Sequence, residues 1–106
     1  MNPVFVSMIA VAGLLFAGSA LAVDMPAVGK AKCGSCHAVD KKVVGPAFIE
    51  VSRKYKADKK AASTIAASIN KGGSFGWKFG SMPAKGLGAT DADIKVMSEF
   101  IAGLAK

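Results

Sequence analysis

The chain of 106 residues carries Cys33-Gly34-Ser35-Cys36-His37 about a third of the way along its length. This stretch is a C-x-x-C-H pattern, the attachment sequence for a c-type haem. Two thiols at this spacing both reach the vinyl groups along one edge of a porphyrin, and the histidine that follows then lies under the iron. The motif therefore predicts two thioether bonds, from Cys33 and Cys36, and one iron ligand, His37.

Three other kinds of site also contain a closely spaced pair of cysteines: a disulfide, a thioredoxin-like redox pair and half of a zinc site. A thioredoxin-like pair would stand in a βαβ context, which no segment of this chain predicts. A structural zinc site needs four ligands, whereas the chain has two cysteines and one histidine, all within this motif. Haem attachment is therefore the favoured interpretation.

The first 22 residues are typical of a cleaved secretory signal peptide. An apolar run from Val4 to Phe16 is followed by Ala20-Leu21-Ala22, a small-x-small cleavage sequence. No lysine or arginine precedes the run, so its N-terminal region is atypical. The alternative is an uncleaved anchor, because the uncharged run from Met1 to Val23 is long enough to span a bilayer. The cleavage sequence favours removal, export to the periplasm and no stable membrane insertion.

Cleavage would leave one domain, residues 23–106, of 84 residues. A domain this small buries little apolar surface by itself, and small scaffolds usually carry a staple, which here would be the haem. Every charged residue lies in this part, so the domain keeps the formal charge of +7. A basic surface attracts acidic proteins or anionic membranes. No basic stripe interleaved with aromatic residues occurs, so nucleic acid is not an expected partner.

Four segments have helical periodicity, and none alternates in the manner of a β-strand. The predicted helices cover residues 26–32, 47–55, 59–70 and the segment from residue 90 onward. Asp24 is a plausible N-cap for the first helix, Gly72 a stop for the third, and Thr90 with Asp93 a capping box for the fourth. The sequence therefore predicts an all-α fold of about four short helices wrapped around one haem.

Between the third and fourth helices, residues 72–88 are rich in glycine and aperiodic, yet strongly apolar. A loop of this kind is unusual unless it covers something. It contains Met82, 45 residues after His37, and a methionine sulfur is a usual second axial ligand in electron-transfer haem proteins. Met97 lies on the apolar face of the last helix, and Met25 lies at the predicted mature N-terminus. Met82 is therefore the candidate for the second iron ligand.

Taken together, C-G-S-C-H, V-G-P-A-F and W-K-F-G-S-M-P resemble class I cytochrome c, in particular the short bacterial monohaem proteins of the cytochrome c-551 type. The likeness covers residues 23–106. It implies about four helices around one covalently attached haem c and an electron-carrier role rather than that of an enzyme. It also implies that Pro46 offers its backbone carbonyl to His37 and that Trp77 donates its indole N–H to a haem propionate.

The chain departs from that family pattern at two places. The family often has an arginine near the end of the third helix for the propionates, where this chain has Ser68. An aromatic residue is usual in the first helix, where it packs on the last, and here Val28 and Gly29 occupy that stretch. The propionate contacts and the crossing of the two helices are therefore the details that the likeness does not supply.

Filled axial positions on both sides of the iron imply a one-electron carrier, which we expect to be a monomer, and the likeness implies respiratory or photosynthetic partners. The likeness implies redox proteins with acidic docking patches: a quinol–cytochrome c reductase, and an oxidase, nitrite reductase or reaction centre. Lysines around the haem motif and the methionine loop would guide them, namely Lys32, Lys41, Lys42, Lys78 and Lys85.

The alternative is a haem enzyme or gas-binding cytochrome with an open sixth site, which requires that Met82 does not bind the iron. A membrane-tethered carrier would share the chemistry and keep the first 22 residues.

Overall fold

The structure, a computed structural model, describes residues 23–105, so the predicted signal peptide lies outside the described residues. In this range the chain forms four α-helices, which are α1 (Ala27–Lys32), α2 (Phe48–Lys54), α3 (Ala61–Lys71) and α4 (Asp91–Gly103). Extended pairing within the same range is limited to two isolated bridges. The prediction of an all-α fold with about four short helices is confirmed. None of the described helices has the length and apolar character needed to cross a membrane.

The first helix begins differently from the prediction. Pro26 occupies the N-cap position with φ −53° and ψ 151°, and no side chain caps the helix. The prediction that Asp24 caps this helix is therefore wrong. The ring of Pro26 holds φ near the helical value while its extended ψ keeps the residue outside the helix. The chain therefore enters α1 at Ala27 without a side-chain cap.

The third helix begins at Ala61, two residues later than predicted, because Asp58 holds a turn in front of it. The Asp58 carboxylate accepts hydrogen bonds from the Lys60 backbone N–H (2.8 Å) and from the Thr64 hydroxyl (2.6 Å). The bond from Thr64 is the main reason that the pKa of Asp58 lies below its usual range. A lowered pKa means that the turn is stabilised while the carboxylate is ionised, and that this contribution is lost as the pH falls through that pKa.

The second helix is one residue shorter at each end than predicted, and α3 runs one residue further, to Lys71, whereas the predicted stop of α3 at Gly72 and the capping box of α4 are confirmed. Gly72 ends α3 with φ +72°, and a Cβ at this position would lie 2.7 Å from the Met82 carbonyl oxygen. Only glycine combines that backbone conformation with that closeness. At the start of α4, the Thr90 hydroxyl accepts from the Asp93 N–H (3.1 Å), and the Asp93 carboxylate accepts from the Thr90 N–H (3.0 Å). The two bonds form the capping box that the sequence predicts.

Helix α4 lies at the centre of the packing and contacts α1, α2 and α3. The core around it consists of buried apolar side chains from α2, α3, α4 and the residue that precedes the α4 cap: Phe48, Ile65, Ile69, Ala89, Ile94, Met97 and Ile101. Where α1 crosses α4, a Cβ on Gly29 would lie 2.5 Å from the Met97 sulfur. The glycine lets the two helices approach until the methionine fills the contact. This packing takes the place of the aromatic residue that is usual in the first helix.

Thr90→Ala removes the hydroxyl that caps α4, the helix against which the other three pack. We expect the substitution to lower the free energy of unfolding by about 1 kcal/mol, the usual loss for such a cap. Chemical denaturation of the haem-loaded protein measures it. Ser63→Ala, on an exposed position of α3, is the control and should leave stability unchanged or slightly raise it, because alanine favours the helix. Equal stabilities of the two variants would contradict the role given to the capping box.

Candidate haem-binding site

One cavity is lined by all six residues that the sequence singles out for the haem. Its lining includes the C-x-x-C-H motif and a large part of the methionine loop, residues 72–88. The sequence-predicted residues found together in it are Cys33, Cys36, His37, Pro46, Trp77 and Met82.

The walls of this cavity are almost entirely apolar. Phe48, Val51, Ile65, Ile69 and Ile101 face it from α2, α3 and α4, and no acidic or basic residue of the described chain lines it, apart from His37. A surface of this kind suits a flat aromatic macrocycle, since its burial removes apolar area from water. The cavity therefore fits a haem by chemistry as well as by the residues at its rim.

His37 is held in one orientation by contacts on several sides. The residue is 9% exposed, and its ring Nδ1 lies 2.8 Å from the Pro46 carbonyl oxygen, to which it donates. It stacks on Phe48 at 4.8 Å between ring centroids and 17° between planes. A Cβ on Gly45 would lie 2.6 Å from the ring Cε1, so glycine is needed there.

The protonation state of this imidazole also suits metal binding. Burial lowers the pKa of His37, and the bond to the Pro46 carbonyl offsets part of the effect. The ring is therefore neutral at pH 7, with its proton on Nδ1, which leaves the lone pair of Nε2 for a metal. Hydrogen bonding of the opposite ring nitrogen to a carbonyl is the usual way in which a ligating histidine is oriented.

Both cysteines are free thiols and half-buried at the cavity. The backbone turns helically through the motif, with the Cys36 N–H and the His37 N–H both donating to the Cys33 carbonyl (3.1 and 2.9 Å). Burial, followed by the charges of Cys36 and Asp93, raises the pKa of Cys33. Residues 23–105 contain no group of three or more His, Cys, Asp or Glu side chains that could hold a metal ion. The thiols are thus available for two thioether bonds, and nothing here builds a zinc site.

Met82 is placed in the cavity by a pairing between the two ends of the methionine loop. The Gly73 N–H donates to the Met82 carbonyl and the Met82 N–H donates to the Gly73 carbonyl, both at 2.9 Å. The Lys85 N–H then bonds the Ile69 carbonyl at 2.7 Å. These bonds fasten the segment around Met82 to the C-terminal end of α3. Among the methionines of the described chain, Met82 alone lines the cavity.

Met97 and Met25 have other places in the structure. Met97 is 2% exposed in the core and Met25 packs against that core. The prediction that Met97 is a core residue is confirmed. Ser68 does line the cavity, but its hydroxyl donates to the Thr64 carbonyl of its own helix at 3.0 Å. It therefore has no charge to offer at the position where related proteins often have arginine.

Trp77 lines the cavity, and around it lie contacts that the sequence did not predict. Its ring stacks on Phe79, with 6.2 Å between centroids and 14° between planes. The Lys54 ammonium lies 5.0 Å from the Trp77 centroid, and the Lys42 ammonium lies 4.6 Å from the Phe79 centroid. Lys54 also donates a hydrogen bond to the Phe75 carbonyl. Aromatic residues at alternate loop positions were the only signal for this arrangement.

Comparison with known proteins gives one consistent result. The family model described as cytochrome c matches residues 18–105. The chain is 36% identical to cytochrome c-551 of Stutzerimonas stutzeri, over 98% of this chain and 99% of that protein. It is 40% identical to cytochrome c-552 of Nitrosomonas europaea, over 95% and 96% of the two chains. The crystal structure of wild-type Nitrosomonas europaea cytochrome c552 superposes with a TM-score of 0.62 at 38% identity, covering 68% of this chain and 99% of that one.

Gly45→Ala tests the packing behind His37. The added Cβ would lie 2.6 Å from the ring, so the imidazole or the backbone must move. We expect the free energy of unfolding of the haem-loaded protein to fall by about 1–3 kcal/mol, as for other overpacked sites. Gly103→Ala is the matched control, because a Cβ there meets nothing within 4 Å. If both variants unfold at the same denaturant concentration, the ring is not confined as described.

Proposed function

Because the chain belongs to the cytochrome c family and carries one covalently bound haem c, we propose that it is a one-electron carrier whose iron is ligated by His37 and Met82. The observation that carries this proposal is the joint placement of the two side chains in one apolar cavity. His37 presents a neutral imidazole with Nε2 unused. Met82 supplies the only methionine sulfur among the described residues that line the cavity.

The haem supplies a reversible iron(III)/iron(II) couple when bound, and the residues of the chain determine how that couple is held. Cys33 and Cys36 fix the macrocycle through two thioethers. The Pro46 carbonyl orients His37, and the pairing of Gly73 with Met82 fixes the opposite segment. The apolar wall keeps water away, and a thioether ligand together with burial raises the reduction potential.

With His37 and Met82 both bound to the iron, no coordination site would remain for a substrate. General acid–base chemistry at a haem would also be helped by a second histidine, and the sequence has only His37. A rigid ligand set on both sides limits the structural change between oxidation states. These features support a carrier over a haem enzyme or a gas-binding cytochrome.

Met82→Ala tests the ligand assignment. We expect loss of the weak charge-transfer band that sulfur ligation gives at the red end of the ferric visible spectrum. We also expect cyanide and carbon monoxide to bind rapidly, and the reduction potential to fall, because a soft ligand that favours iron(II) is removed.

Met25→Leu is the control for that variant, since Met25 packs against the core away from the cavity, and it should keep the band. A Met82→Ala protein with an unchanged ferric spectrum would refute the assignment. Rapid binding of carbon monoxide by the unmodified protein would favour the gas-binding alternative instead.

We place this carrier in the periplasm, as a monomer. The apolar run and the cleavage sequence Ala20-Leu21-Ala22 support that location. The family likeness adds that bacteria attach haem to a C-x-x-C-H motif outside the cytoplasm. Cleavage after Ala22 would release residues 23–106 from the membrane. Sequencing of the mature N-terminus gives the cleavage position directly.

We propose that its partners are redox proteins with acidic docking patches: a quinol–cytochrome c reductase, and an oxidase, nitrite reductase or reaction centre. Lys41, Lys42 and Lys85 are exposed on the segments that flank the cavity. Val43 and Val44 lie exposed beside them, 46% and 58% accessible. With a formal charge of +7, the surface would steer an acidic docking patch toward this edge, and the exposed valines would contact it after docking.

Electron transfer to a natural partner should therefore slow as salt is raised, because exposed charges are screened beyond about 8 Å at physiological ionic strength. Lys41→Glu or Lys85→Glu should lower the bimolecular rate at low salt by about twofold to fivefold, mainly through association. Lys59→Glu makes the same change of charge in the turn before α3, away from the two segments that carry Lys41 and Lys85, and should have a smaller effect. Stopped-flow rates that are equal at low and high salt would exclude steering.

A further inference from the structure

The cavity has no charged residue in its lining to receive the charge that a haem brings with it. A haem carries two propionates, which are ionised at pH 7, as carboxylic acids ordinarily are. A carboxylate at the edge of an apolar cavity needs a cation, hydrogen-bond donors or water. Ser68 supplies no positive charge, because its side chain is neutral and its hydroxyl donates a hydrogen bond within its own helix. Any positive charge beside the propionates therefore comes from residues just outside the lining.

Four side chains in a row, which we term the rim ladder, provide such charge: Lys42, Phe79, Trp77 and Lys54. The two rings are stacked at the centre, and each end is an ammonium above a ring face, at 4.6 Å for Lys42 and 5.0 Å for Lys54. Both rings line the cavity. The ladder is thus part of the cavity rim and has a cation at each end.

Lys54 is held at its end of the ladder by a strained turn. Phe75 and Gly76 have φ values of +54° and +81°, and the Trp77 N–H donates to the Ser74 carbonyl at 2.9 Å. These values are those of a type I′ turn, in which a bulky residue such as Phe75 is unfavourable. The Lys54 ammonium donates to the Phe75 carbonyl within this turn. Lys54 therefore helps to hold the conformation that directs Trp77 into the cavity lining.

The donors of the ladder remain available for a ligand. Within residues 23–105 the ion pairs are Arg53 with Glu50 and Lys95 with Glu99, so neither ladder lysine is paired with a carboxylate. The indole N–H of Trp77 likewise makes no hydrogen bond inside the described part of the chain. Two ammonium groups and one indole donor thus stand at the rim with a charge of +2.

We propose that Lys42 and Lys54 are the counter-charges of the two haem propionates, beside the Trp77 N–H donor that the family likeness already implies, and that they replace the cation absent at Ser68. The charges match, two positive against two negative. The inference rests on the bound haem c and deepens the electron-carrier proposal, because cations near the iron disfavour the ferric state. Lys54 has a second task as a positioning residue for Trp77.

Lys54→Met and Lys42→Met test the proposal through the reduction potential, measured by redox titration at neutral pH. Each variant removes one cation that disfavours the ferric state. We expect the ferric-to-ferrous ratio at a fixed applied potential to rise by about threefold for each, the effect of one charge across partly solvated protein. Lys56→Met removes the same charge two residues from Lys54 and outside the ladder, so its effect should be clearly smaller.

Two further measurements separate this role from simpler ones. Lys54→Arg keeps a cation that reaches the Phe75 carbonyl and should keep the reduction potential of the unmodified protein. If Lys54 acts only through the packing of its side chain, Lys54→Met should keep that potential as well. Lys42→Met leaves the Phe75 turn intact, so the change in its reduction potential measures the loss of the charge alone. If Lys42→Met and Lys54→Met both match Lys56→Met, the propionates are not paired by the ladder and the proposal is wrong.

Failure of this proposal is distinct from failure of the function proposed above. The sulfur-to-iron band of the unmodified protein reports ligation by Met82 and does not depend on the ladder. A protein that keeps the band but shows no specific effect of Lys42 or Lys54 remains a His/Met carrier whose propionates are solvated. A protein without the band loses the ligand assignment, whatever the lysine variants show.

Discussion

The fold is built around an apolar cavity that the chain's own side chains do not fill. Side chains of α2, α3 and α4 and of two long loops face this space, so much of the apolar surface that would form a core in another small domain is directed at the cofactor. A domain of this size has little other core. The haem is therefore a structural element as well as a redox centre. Of the described helices, α2, α3 and α4 depend on it for part of their packing, and α1 does not.

The two sides of the site are built by different means. On the proximal side, His37 is confined by a carbonyl, an aromatic ring and the backbone of a glycine, which are Pro46, Phe48 and Gly45. On the distal side, Met82 is held by backbone pairing with Gly73 at the end of α3. The first arrangement fixes a ring orientation and a tautomer. The second fixes a flexible thioether by limiting the backbone that carries it.

Much of this arrangement could be predicted from local sequence. The C-x-x-C-H motif, the glycine that ends α3 and the capping box of α4 are short-range patterns whose physical causes act within a few residues, and the structure contains them. The Asp24 cap could not be anticipated correctly, because Asp24 and Pro26 compete for the same helix end and the proline ring decides the backbone. The rim ladder was also missed, since Lys42, Lys54 and Trp77 meet only after three separate segments have folded together.

The contact between Gly29 and Met97 has an evolutionary consequence. A side chain at position 29 would enter the volume that the Met97 sulfur already occupies. The sizes of the side chains at positions 29 and 97 are therefore limited together by the space between α1 and α4. A larger residue at position 29 requires the ends of the Met97 and Met25 side chains to move or these residues to be smaller, so relatives should change these positions together. An aromatic residue grafted into α1 alone would separate the helices and disturb α4, the element on which the remaining packing converges.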